Sequence, residues 1–110
     1  MGSVTGLAIH RAEGTVVVVV AAGDPTRVLG GLRRAGVRRI DLLVADGTGP
    51  GVLGVLAAVL DRHPVGLIVG PAKLDVAGLQ PIDPDHPVRA GPLAVTLDAT
   101  GHPVVHPTTG

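Results

Sequence analysis

Thr15 to Ala21 reads TVVVVVA, five consecutive valines with no polar position among them. A β-branched run without alternation predicts a strand covered on both faces. Gly6 to His10 predicts a short strand before it. After it, Asp24-Pro25 supplies an N-cap and a first-turn proline. The chain then switches to helical spacing as far as Ala35, with Val28, Leu29, Leu32 and Ala35 on one face and Arg27 and Arg34 opposite. Gly36 is placed to end this helix. Arg39 to Ala45, RIDLLVA, predicts the next strand. Val52 to Arg62 predicts a helix that is apolar nearly all round, hence deeply buried, and His63-Pro64 stops it. Val65 to Val69, VGLIV, is a third strand.

The order β-α-β-α-β favours parallel strands joined by right-handed crossovers. The proline-rich segment 71–92 reads as a surface loop. Leu93 to Leu97 and Pro103 to His106 then form a closing hairpin around DATGH. The expected fold is therefore α/β, a single domain over residues 1–110 with a largely parallel central sheet and a C-terminal β-hairpin. Residues 1–14 and 107–110 are expected to be frayed.

Composition narrows the function classes. Phe, Tyr and Trp are absent from the 110 residues. Aliphatic side chains must fill the core, and the usual stacking platform for single-stranded nucleic acid is missing. The formal net charge is zero, so no global field favours nucleic acid or an acidic membrane. Without Cys there is no thiol or disulfide chemistry. No apolar run reaches the ~20 residues of a membrane helix, and no secretory leader pattern opens the chain.

Between the second strand and second helix lies Asp46 to Gly54, DGTGPGVLG. Gly49 to Gly54 matches G-x-G-x-x-G between a strand and a helix. Gly47, Gly49, Gly51 and Gly54 could cradle a phosphate there, on the N–H groups and dipole of the helix. Against this, the loop follows the second strand of the unit rather than the first. No acidic residue ends the next strand, and no G-x-x-x-x-G-K-[ST] is present. A structural turn outweighs a phosphate site.

Asp24, Asp46 and Lys73 all follow strand ends and would share the carboxyl edge, where two carboxylates and the only lysine could hold Mg²⁺ and a phosphoryl group. The plainer reading makes Asp24 a helix cap and the others solvated loop charges. Arg33, Arg34, Arg38 and Arg39 surround Gly36-Val37 and could touch phosphate. A helix C-terminus attracts cations on its own account, and a solvated helix end is the reading favoured here. The five histidines read as exposed loop residues. His102 and His106 would stand about 13 Å apart along a strand, too far for one metal. Ser3 is the only serine, and no G-x-S-x-G occurs.

LRRAGVRRIDLLV (Leu32 to Val44) and GVLAAVLDRHPVGLIVGP (Gly54 to Pro71), with VVVVVAAGDPTRVLGGL before them, resemble the metallo-β-lactamase-like domain of ComEC-type DNA-uptake (competence) channels. The likeness spans roughly Thr15 to Pro71. In that family an H-x-H-x-D-H metal motif follows the strand. In register, its first histidine falls on Gly47, its second on Gly49, its aspartate on Gly51 and its third histidine on Val52. Gly54 keeps a family glycine, and Val20 replaces a strand-end aspartate. Thr100-Gly101-His102 is similar to a later Gly-His ligand. Zinc or manganese needs imidazole or carboxylate donors, and glycine and valine offer none.

The resemblance thus implies a truncated metallo-β-lactamase-like fold whose hydrolytic centre is lost: a pseudoenzyme with no catalytic residue, metal or cofactor, and a structural or binding role. It implies a membrane-channel part of the same or a related protein as partner, DNA as context, and an extracytoplasmic position on a bacterial membrane protein. The alternative is a small phosphate- or nucleotide-binding protein using the Gly47–Gly54 loop. A hydrolase rebuilt around Asp24 and Asp46 is a third reading.

Overall fold

In the computed structural model, which describes residues 7–83 and 85–108, the chain runs β1 (Leu7–Ala12), β2 (Thr15–Val20), α1 (Pro25–Arg34), β3 (Ile40–Ala45), α2 (Pro50–Arg62), β4 (Val65–Gly70), β5 (Leu79–Pro81), β6 (Val88–Ala90), β7 (Leu93–Leu97) and β8 (Pro103–Pro107). The protein is α/β. β1 to β5 form one mixed, largely parallel sheet in chain order, and β6 to β8 form a second, antiparallel one. β2, β3, β4 and β5 run parallel, and β1 pairs antiparallel with β2 from Leu7↔Val20 to Ala12↔Thr15.

The layering follows from handedness. Two successive right-handed crossovers that step in the same direction put both helices on the same face of the sheet. Val18, Val20, Leu43 and Ala45 point to that face and pack with Val28 and Leu32 of α1 and Val52, Val55, Leu56 and Val59 of α2. The opposite face, with Val17, Leu42, Val44 and Val69, would be left bare. Leu93 and Val95 of β7 cover it, with Val88 and Val105 at the margins. Period-2 alternation in β2 and β3 thus feeds two cores, which is why the valine run needs no polar position. No polar or charged residue is buried among the described residues.

Local signals set the helix ends. The Asp24 carboxylate accepts from Thr26 N at 2.9 Å, and Pro25 opens α1. At the other end Gly36 takes φ +73°, Gly36 N donates to Arg33 O at 3.0 Å and Val37 N to Leu32 O at 3.0 Å. This double closure is a Schellman motif, and it turns Val37 into the core. At the start of β3, Asp41 Oδ2 accepts from Val16 N at 2.8 Å and Ile40 N donates to Pro64 O at 2.9 Å, so the parallel ladders begin without orphaned groups.

Three expectations need correction. Segment 71–92 is not wholly loop: β5 extends the large sheet and β6 the small one. Both strands lie at sheet edges, where Pro81 at the end of β5 costs no ladder bond that matters. α2 is not deeply buried. Gly51, Gly54, Ala57 and Asp61 are exposed, so small residues, with Asp61 at the far end, make its outer stripe. The chain ends are more ordered than expected where they are described. β1 is fully paired, and Thr108 donates through both N and Oγ1 to Pro92 O, at 2.8 and 3.1 Å. Residues 1–6 and 109–110 lie outside the described residues.

Candidate functional site

The parallel strands β2 to β5 end at the carboxyl edge, and the sequence-predicted site residues lie on the loops there. Asp24 is occupied as the α1 cap, with Arg27 Nε 4.0 Å away. Lys73 is exposed in the β4–β5 connection. No hydrogen bond or ion pair joins Asp24, Asp46 and Lys73 to one another among the described residues. Asp46 meets a different partner. Its N donates to Val20 O at 2.8 Å, continuing the β2–β3 ladder by one residue, and its Oδ1 lies 3.0 Å from His102 Nδ1.

His102 arrives from the β7–β8 turn, 56 residues away in sequence. Asp98 builds that turn. Asp98 Oδ1 accepts from Thr100 N at 2.9 Å, Thr100 Oγ1 at 2.6 Å and His102 N at 3.0 Å, and Asp98 N donates to His102 O at 2.9 Å. The Thr100 hydroxyl bond, followed by the His102 N–H, holds the Asp98 carboxyl below its ordinary pKa. The Asp46 hydrogen bond, then the Asp46 charge, raises the His102 pKa. The Asp46 carboxylate can only accept, so Nδ1 of His102 donates to it, and Nε2 lies outside that bond. A carboxylate that orients an imidazole is the usual support of a metal-binding or catalytic histidine.

That support stands without a second donor. Among the described residues no three His, Cys, Asp or Glu side chains gather closely enough to hold a metal ion. His86 pairs locally with Asp83 at 3.0 Å, and His106 Nε2 lies 3.4 Å from Thr96 Oγ1 on the neighbouring strand. The recess beside Asp46, bounded by Gly47, Pro71, Ile82 and Leu97, has a volume of about 90 Å³. Sites for nucleotide-sized ligands span roughly 300–1,000 Å³.

The glycine loop closes on the protein. Gly47 takes φ +121°, a conformation that favours glycine, and a Cβ there would stand 3.2 Å from Val52 Cγ2. A Cβ at Gly51 would stand 3.1 Å from Ala22 Cβ on the β2–α1 loop. Gly49 and Gly54 face open space. An anion at a helix N-terminus needs free N–H groups. Pro50 has none, and those of Val52 and Leu53 already donate to Gly49 O at 3.1 and 3.3 Å. Gly51 N is what remains of that turn for a phosphate.

The opposite, amino edge has more room. A cleft of about 420 Å³ there is lined by Arg33, Arg38, Arg62 and His63 over Leu29 and Val37. A second, of about 380 Å³, shares Gly36, Val37 and Arg38 with it and adds Arg11, Arg39 and the carboxylate of Asp41. The run Arg33 to Arg39 was visible in the sequence. Arg11 and Arg62 join it because β1 runs antiparallel to β2 and because α2 ends beside α1.

No known protein-family model matches the sequence, and no curated protein matches it. No described helix is long and apolar enough to cross a membrane.

Proposed function

We propose that the chain is a non-catalytic, degenerate metallo-β-lactamase-like domain of a ComEC-like DNA-uptake protein, acting as a structural or binding unit beside a membrane channel. The observation that carries this reading is the β3–α2 loop. It leaves the carboxyl edge of the sheet where the family's metal motif would stand, and it offers Gly47, Gly49, Gly51 and Val52 at the four ligand positions. His102, where the resemblance puts a later ligand, reaches the same edge and its ring meets Asp46, with no cluster of three metal-ligating side chains among the described residues. One imidazole and one second-row carboxylate do not make the three- or four-donor set that zinc requires.

The test is hydrolysis of bis-p-nitrophenyl phosphate and single-stranded DNA by the purified protein, with Zn²⁺ or Mn²⁺ added and with a chelator. The proposal expects rates at the uncatalysed background in every condition. Chelator-sensitive cleavage above background, lost in His102→Ala, would overturn it.

A further inference from the structure

We propose that the amino edge of the parallel sheet is a binding face for oligophosphates, inorganic or ester-linked, gripped by Arg38 and the guanidinium groups on either side of it. Net neutrality hides a segregation of charge. Of eight arginines in the chain, five line the two adjoining clefts at this end: Arg11, Arg33, Arg38, Arg39 and Arg62. They converge from β1, from the end of α1, from the α1–β3 connection and from the end of α2. A sixth, Arg34, lies on the last turn of α1.

The local negative groups do not cancel them. Two helix C-termini are together equivalent to about one negative charge, and Glu13, Asp41 and Asp61 are the carboxylates on the segments that meet here. Arg11 Nη2 donates to Ala35 O and Arg34 Nε to Gly30 O at 3.4 Å, so these two answer the end of α1. Asp41 is engaged by Val16 N, with Arg39 Nε 3.8 Å away, and Asp61 lies 3.9 Å from Arg62 Nε. Arg39 and Arg62 are mostly exposed in those pairs, and exposed pairs of this length are weak enough to exchange for a better acceptor. Arg33 and Arg38 make no side-chain hydrogen bond or ion pair among the described residues.

Guanidinium forks match phosphate oxygens two at a time. Arg38 borders both clefts, so it can bridge successive phosphates while Arg33 and Arg62 take one side and Arg39 the other. The larger cleft has the volume of a small-ligand site. This face is separate from the Gly47–Gly54 loop, which lies at the other end of the same strands.

Isothermal titration calorimetry with inorganic tripolyphosphate and with a nucleoside triphosphate, at low salt, tests the proposal. Binding of either probe is expected. It should weaken about tenfold or more in Arg38→Gln, less in Arg38→Lys, which keeps the charge and loses the fork, and several-fold as salt is raised. Arg27→Gln, away from this face, and Gly49→Asp, which puts a carboxylate at the mouth of the glycine loop, should leave it unchanged. The tighter probe identifies the source of the phosphates. Failure of both probes to bind at millimolar concentration, retention of affinity in Arg38→Gln, or its loss in Gly49→Asp would overturn the proposal.

Discussion

The two ends of the parallel strands carry opposite solutions to the same geometry. At the carboxyl end the loops are glycine-rich, Asp46 meets His102, and the recess beside that pair measures about 90 Å³. At the amino end the loops carry arginine, and one cleft measures about 420 Å³. In α/β sheets the carboxyl end is where ligands ordinarily bind, because helix N-termini point there. Here that advantage is spent internally: Pro50 has no N–H to give, and Gly49 O takes those of Val52 and Leu53. A glycine loop binds anions only if its N–H groups stay free, and the spacing of glycines does not tell whether they do.

The largest effect expected is at the closed end. Gly70 ends β4 in a position where a Cβ would stand 2.9 Å from Ala45 Cβ and 3.3 Å from Leu79 Cδ1. Gly70→Val should cost about 1–3 kcal/mol through overpacking, read as a lower urea midpoint by circular dichroism. An unchanged midpoint would mean that the carboxyl edge is looser than described. At the amino end, Gly36→Ala forces a side chain into the left-handed region at φ +73° and should cost about 1–2 kcal/mol. Its loss loosens Arg38 as well, so phosphate affinity should fall with stability.

A smaller effect of opposite sign is expected on the outer stripe of α2. Gly54 sits inside the helix with nothing within 4 Å of an added Cβ. Gly54→Ala should stabilise by roughly 0.5–1 kcal/mol. A loss instead would show that the stripe is covered.

The smallest effect is a pH dependence. His102 has a folded pKa raised above its ordinary value of 6.5 by its bond to Asp46. The pair therefore contributes stability that is fully present below pH 6.5 and is lost as pH rises through the folded pKa. Thermal midpoints compared across that window should fall with rising pH more in the natural sequence than in His102→Asn. Identical profiles would remove the Asp46–His102 bond from the account. Asp98 has the opposite sign. Its lowered pKa contributes stability above pH 3.8 that disappears as pH falls through the folded value.

Much of the large sheet could be read from the residues. TVVVVV, IDLLVA and VGLIVG are bounded by Asp-Pro, Gly-rich and His-Pro breaks, and each became a parallel strand. β7 and β8 were expected as a hairpin around DATGH, and they pair antiparallel from Leu93↔Pro107 to Leu97↔Pro103. β5 and β6 escaped notice because each has three residues and prolines stand at or beside both. The exposure of α2 escaped for another reason: glycine and alanine count as apolar, yet they lose little by facing water. Asp24 was legible as a cap, since Asp-Pro before a helical pattern is a local signal. The Asp46–His102 contact was not, because it depends on how the second sheet stacks on the first. The arginine face was half legible. Four of its cations are neighbours in sequence, while Arg11 and Arg62 arrive by topology.

If the ligand is met at the arginine end, the two ends of the strands must respond differently to an added anion. The most direct measurement is a pair of ¹⁵N–¹H correlation titrations on the natural sequence, one with tripolyphosphate and one with Zn²⁺. Tripolyphosphate is expected to shift the amides of residues 33–39 and 62–63 in a saturable way, while residues 46–54 stay still in both titrations. Saturable shifts confined to residues 46–54, with the arginine segments unmoved, would contradict it.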